Sequence, residues 1–250
     1  MIEYLIVCPL VFLAGFIDAI AGGGGLISLP AYLIAGLPPH AAIGTNKFSA
    51  CMGTIVATWK FAKSGFIHWK RALPAVATAL SGSWLGAQLA LLVDANAFKL
   101  VMLIVLPLTG FYVLFKKPFQ ANKSPFSDKK TILITLILGF LIGIYDGFYG
   151  PGTGTFLILL LTAVAHVSLN EAAGTTKVIN LATNVSALVV FLLNGVIWFP
   201  LALVAAVFGI AGNYIGATYF TSKGTGFVKP VIVIVLTIFF IKICWELLVS

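Results

Sequence analysis

Apolar runs too long for an ordinary globular core recur along this 250-residue chain. Leu100–Phe115, Thr131–Tyr149, Ala172–Leu193 and Val228–Leu248 carry almost no charge. Each is about 16 to 22 residues, or about 24 to 33 Å as helix, which matches the hydrocarbon core of a bilayer. Hydrophobic residues make up 60% of the chain and charged residues 9%, with a mean hydropathy of +1.10. A soluble domain of this size would lack the polar surface to cover itself. The expected fold class is therefore an all-α polytopic membrane protein.

The net charge of +8 raises nucleic acid as a partner, but the basic residues are in the wrong places for it. They gather in short loops: Lys60, Lys63, Lys70 and Arg71, then Lys116, Lys117, Lys123, Lys129 and Lys130. Basic loops beside apolar helices mark the cytoplasmic side, so the charge reports orientation, and no nucleic-acid partner is expected. The first residues, Met-Ile-Glu-Tyr, lack the basic region of a cleaved signal peptide, so the first segment is expected to be retained. Cys8, Cys51 and Cys244 lie singly in apolar stretches and read as packed thiols.

Ten apolar segments can be drawn, five in each half. The first five are Ile2–Ala21, Leu26–Leu37, Ala42–Ala62, Ala72–Val93 and Phe98–Phe115. Their counterparts are Thr131–Tyr149, Thr155–Ala165, Ala172–Leu193, Phe199–Phe220 and Val228–Leu248. This divides the chain into a repeat at 1–115, a basic cytoplasmic linker at 116–130 and a second repeat at 131–250. The second segment of each half is only about 17 Å long as helix, too short to span comfortably. Both short segments read as half-helices entering the bundle interior, where protein or water can satisfy exposed backbone. Loop charges then set topology. The loop after the third segment carries Lys63, Lys70 and Arg71, whereas its counterpart at 194–199 carries none. The loop after the fourth segment shows a weaker, opposite bias. Equivalent loops are thus expected on opposite faces, which makes the halves an inverted pair with both termini outside.

Within that duplication one sentence is written twice. GFIDAIAGGGGLISLP and AAIGTNKFS return about 130 residues later as GIYDGFYGPGTGTFLI and EAAGTTKVIN. Each copy places an Asp in an apolar segment, follows it with glycines, and opens the third segment with Gly-Thr-X-Lys. Lys47 and Lys177 are expensive to bury alone, so each needs a partner, a water cavity or a role, unless it snorkels to the interface. On a helix Lys47 shares a face with Cys51, Thr54 and Thr58, and Lys177 with Asn180 and Asn184. The functional reading is a cation that attracts an anionic solute, with hydroxyls and amides as donors. Asp18 and Asp146 admit three roles: protonation sites, salt-bridge partners of the lysines, or caps at the break. After each glycine cluster a short helix would point unsatisfied N–H groups into the bundle, a ready anion site. Close helix packing would use the same glycines.

Other patterns carry less. Gly82-X-X-X-Gly86 and Gly212-X-X-X-Gly216 recur at equivalent places and read as packing notches. His40, His68 and His166 show no metal-ligand spacing, and no nucleophile elbow or carboxylate dyad appears. Neither an enzyme, a cofactor nor a metal is expected.

These paired motifs resemble the TauE/SafE family of membrane proteins, the sulfite exporter family, over about Val11 to Leu248. Members are bacterial and archaeal inner-membrane proteins, with plant relatives, implicated in moving sulfur oxyanions and organosulfur compounds. The resemblance implies export of anions such as sulfite or sulfoacetate across the cell inner membrane. The family's motif positions fall here on Gly22, Gly24, Gly25, Gly44, Thr45 and Lys47, and again on Gly150, Gly152, Gly174, Thr175 and Lys177. The second glycine cluster departs from the first by carrying Pro151 and Thr153, so the two sites need not be equivalent.

The expectation is a secondary transporter of a small anion working by alternating access. Those motif residues, with Asn180 and Asn184, form the candidate solute site, and Asp18 and Asp146 supply a coupling proton or an ion pair. An uncoupled anion channel and a non-transporting accessory protein are the rival classes. Partners are the anionic solute and the bilayer, and a homo-oligomer is compatible with the sequence.

Overall fold

The computed structural model describes residues 1–115 and 125–223, and these are helical throughout apart from short connections. The order is α1 (Ile2–Ala21), α2 (Gly25–Ile34), α3 (Pro39–Lys63), α4 (Trp69–Leu92), α5 (Ala95–Phe115), α6 (Asp128–Phe148), α7 (Thr153–Ala163), α8 (Leu169–Leu193) and α9 (Phe199–Lys223). The tenth expected segment, Val228–Leu248, lies outside the described residues, as does most of the linker. Its last residues, Asp128–Lys130, already belong to α6. Among the described residues, α1, α4, α6, α8 and α9 are long and apolar enough to cross a membrane. α2 and α7 are short, 10 and 11 residues.

Burial runs opposite to that of a soluble protein. Large apolar side chains point outward, among them Leu73, Leu80 and Leu89 of α4, Leu133, Ile137 and Leu141 of α6, and Leu203 and Val207 of α9. The interior instead holds polar groups such as Asn180, Asn184, Asn213, Lys47, Lys177 and Asp146. This arrangement suits hydrocarbon outside and a satisfied polar interior. The chain is a polytopic helical membrane protein.

Small residues decide how the helices pair. Every buried residue of α4 is Ala, Gly or Ser. Gly82 and Gly86 face the main-chain oxygens of Phe140 and Ile144, so α4 lies backbone-to-backbone on α6. Gly212 and Gly216 seat α9 in the same way on Phe12 and Phe16 of α1. Without a hydrophobic drive between helices in lipid, such close backbone approach is what holds them. The fourth helix of each half is thus packed against the first helix of the other half. α3 and α8 meet at the centre, where Thr58 Oγ1 donates to the main-chain oxygen of Lys177 (3.2 Å).

Ion pairs tie the helix ends at one rim. Arg71, at the start of α4, bonds Glu171 at the start of α8 (2.8 Å) and Asp128 at the start of α6 (2.5 Å). Lys60 near the end of α3 donates to Thr218 near the end of α9 (2.6 Å).

Candidate functional site

Two interruptions of the backbone build the site. α1 stops because Gly22 turns left-handed (φ +73°), a conformation that costs a side chain but suits glycine. Its N–H closes onto the main-chain oxygen of Asp18 (2.9 Å). The chain then returns as α2, with Gly24 so close to Ala14 and Asp18 of α1 that a Cβ would collide. In the second half Gly150 and Gly152 take positive φ, and α7 starts at Thr153.

The two breaks cross. Thr155 at the start of α7 donates its N–H to Gly22 O (3.2 Å) and its hydroxyl to Ala21 O (2.7 Å). Gly22 and Gly154 touch backbone-to-backbone, and Gly25 lies against Pro151. α7 therefore satisfies carbonyls that the end of α1 leaves without a helical partner.

Each lysine reaches an aspartate of the other half. Lys47 Nζ lies 2.7 Å from Asp146 Oδ2 and donates also to Asn184 Oδ1 (3.1 Å). Lys177 Nζ lies 2.9 Å from Asp18 Oδ2 and donates also to the main-chain oxygen of Asp18. Both ammonium groups are buried, with 3% and 1% of the residue exposed. Burying either alone would cost several kcal/mol, and reciprocal pairing leaves the interior electrically neutral.

A cavity of about 50 Å3 opens beside this crossing, enough for a few waters or one small solute. Its wall takes Asp18, Gly22, Gly24 and Gly25 from the first break, and Asp146, Gly150, Thr153 and Gly154 from the second. Ser28 of α2, Lys47, Asn46, Ser49 and Thr54 of α3, Asn180 and Asn184 of α8, and Asn213 of α9 complete its polar lining. Two helix starts, those of α2 and α7, thus border one small space. Leu26, Ile27, Thr153 and Thr155 already give their N–H groups to backbone oxygens, which leaves those of Gly25 and Gly154 without a backbone acceptor among the described residues. Gly150 leaves room for the ion pair itself, since a Cβ there would stand 3.3 Å from Lys47 Nζ.

Not every residue singled out in the sequence lies on this wall. Lys177 is sealed behind Asp18. Gly44 packs on Val196 and Ile197, and Thr45 Oγ1 accepts the N–H of Trp198 (3.1 Å). Gly174 makes the equivalent contact with Phe66 and Ile67, and Thr175 is buried beside it on α8. The Gly-Thr pairs therefore seat the α3–α4 and α8–α9 loops, each against the other half. Gly152 starts α7 and touches Thr109 of α5.

Asn46, Ser49 and Asn213 line the cavity without having been singled out in the sequence. Asn46 is the variable position of Gly-Thr-X-Lys, and Asn213 sits inside the second GxxxG notch. An amide in an otherwise apolar helix was the available signal for both.

An apolar exterior, a neutralised polar interior and a solute-sized cavity at crossed backbone breaks define a membrane transporter. The model for the family described as "Sulfite exporter TauE/SafE" matches residues 7–243, and the chain belongs to that family. It is 38% identical over 224 residues to the "Probable membrane transporter protein ORF9" of a Sinorhizobium species, covering 90% of this chain and 85% of that one. It is 33% identical over 234 residues to the "Probable membrane transporter protein YfcA" of Escherichia coli K12, covering 94% and 87%. A Haemophilus influenzae "Probable membrane transporter protein" is 36% identical over 227 residues, covering 89% and 87%. No solved structure matches the chain.

Proposed function

We propose that this protein is a secondary transporter that exports a small sulfur-containing anion, such as sulfite or a sulfonate, across the inner membrane by alternating access. The observation that carries this reading is the cavity, where both breaks, both aspartates and Lys47 face one buried space. The anion's oxygens take the N–H groups of Gly25 and Gly154 at the starts of α2 and α7, framed by Gly22, Gly24 and Gly150 of the breaks, with Lys47, Asn180 and Asn184 as side-chain donors. Lys177 acts through Asp18. Gly44, Thr45, Gly152, Gly174 and Thr175 hold the breaks and loops that frame the space.

The ion pairs give the reading its coupling step. In the empty site Lys47 is neutralised by Asp146, so it attracts no anion strongly. Protonating Asp146 cancels that carboxylate's charge and frees the ammonium for the solute, so anion and proton move together and export runs down the solute's own outward gradient. The halves act as inverted repeats around the crossing, with both termini outside. In support, α3 and α9 end at the rim where α4, α6 and α8 begin.

Flux of an ethanesulfonate, whose acid group stays ionised, into proteoliposomes tests the reading. Acidifying the outside should accelerate uptake. No protein-dependent uptake would reject an anion transporter, and uptake indifferent to the proton gradient would assign the protein to the channel class.

A further inference from the structure

The cavity is richer in acceptors than an anion site requires. Asn46 and Asn213 both line it, only 8% and 3% exposed, and neither side-chain oxygen has a hydrogen-bond partner among the described residues. Buried polar groups are rarely left so, because an unmatched acceptor forfeits its water without replacement. Thr176 and Tyr149 also carry unpaired hydroxyls, but neither lines the cavity.

Asn213 is held with care. Its Nδ2 donates to Gly209 O (3.0 Å), which fixes which end of the amide is the acceptor. The amide occupies a notch between Gly15 of α1 and Gly53 of α3, and a Cβ on either glycine would collide with it. Its sequence counterpart, Ser83, donates to Thr183 O (2.7 Å) and does not line this cavity. One half of the molecule satisfies this position internally, and the other leaves a buried oxygen without a partner on a residue of the cavity wall.

Charge points the same way. Two lysines and two aspartates cancel, and the proton bound with the solute offsets one negative charge, so a dianion would leave one charge uncompensated in a buried site. A monoanion that carries its own O–H leaves none, and gives Asn213 or Asn46 the donor each lacks. Resting on the anion-transporter reading, we propose that Asn213 and Asn46 select for monoanions bearing a hydrogen-bond donor: hydrogen oxyanions or hydroxyl-substituted sulfonates.

A matched pair of sulfonates tests this, ethanesulfonate against 2-hydroxyethanesulfonate, which share charge and headgroup and differ by one hydroxyl. Competitive uptake into proteoliposomes should favour the hydroxylated solute by about tenfold, the scale of one buried acceptor satisfied or not. In Asn213→Ala, and separately in Asn46→Ala on another helix, the ratio should fall toward one. The ratio is read within one preparation, so loss of folded protein lowers both fluxes and leaves it unchanged. A wild-type ratio near one, or a preference that survives both substitutions, overturns the proposal while leaving the transporter reading intact. Transport of neither sulfonate overturns both.

Discussion

The Lys47 and Lys177 centres are written with nearly the same residues, yet they occupy different environments. Lys47 and Asp146 border the cavity and lean on Asn184. Lys177 is closed off behind Asp18, whose side chain is 16% exposed and faces the cavity in its place. The divergence comes from neighbours. Asn184 corresponds to Thr54, Asn46 to Thr176 and Asn213 to Ser83, so the cavity wall takes three amides whose counterparts are hydroxyls, and of those hydroxyls only Thr54 also lines it. The two halves offer similar frames, and the cavity takes Lys47 into its wall but not Lys177.

The comparison can be broken most severely at the crossing on which both centres depend. Gly22→Ala should abolish folded protein, because the new Cβ meets the backbone of Gly154 and must also hold a left-handed φ. Strain and overpacking together cost about 3 kcal/mol or more. Gly36→Ala is the control, with a similar positive φ and nothing within 4 Å, and should cost about 1 kcal/mol. Yield of monodisperse protein in detergent and its thermal midpoint distinguish the two.

Next in size are the ion pairs. Lys47→Met strands Asp146 and should destabilise by about 3 to 5 kcal/mol, with Asp146→Leu in the same chain restoring much of it. Lys177→Met should behave alike but more mildly, since water in the cavity can reach Asp18. Equal losses would mean the two centres are equally dry. A smaller change sharpens the asymmetry: Asn184→Thr writes the Thr54 side chain into the Lys47 centre. Solute affinity should fall by a few-fold, about 1 kcal/mol, with little change in thermal midpoint. The smallest effect belongs to the rim, far from both centres. Arg71→Ala should cost roughly 1 kcal/mol, since Asp128 is largely exposed, and should leave solute affinity unaltered.

Much of this fold is visible in the sequence because hydrocarbon demands long apolar helices. The helix ends are less visible. α8 begins at Leu169, not Ala172, because Ser168 accepts the N–H of Glu171 as an N-cap. α3 begins at Pro39, where a proline suits the first helical position. Apolar windows miss such polar first turns.

The charged members of the site are legible because an ion in a membrane helix is costly and therefore conspicuous. Which lysine meets which aspartate is not legible, since that depends on the halves exchanging partners in space. The role of Asn213 is hidden for another reason: a polar residue inside a GxxxG notch looks like part of the packing. Gly44 and Gly174 show the converse, with loop seats written beside a buried lysine.

One binding measurement addresses the central claim, that the anion is held at the Lys47 centre of a neutral cavity. Two charge-balanced double variants, Lys47→Met with Asp146→Leu and Lys177→Met with Asp18→Leu, each remove one ion pair without stranding a charge. Sulfite affinity would be measured by calorimetry on the purified proteins. The first variant should lose about a hundredfold or more, the scale of a charge-assisted contact, and the second less than about tenfold. Equal losses, or a larger loss in the second variant, would contradict the assignment.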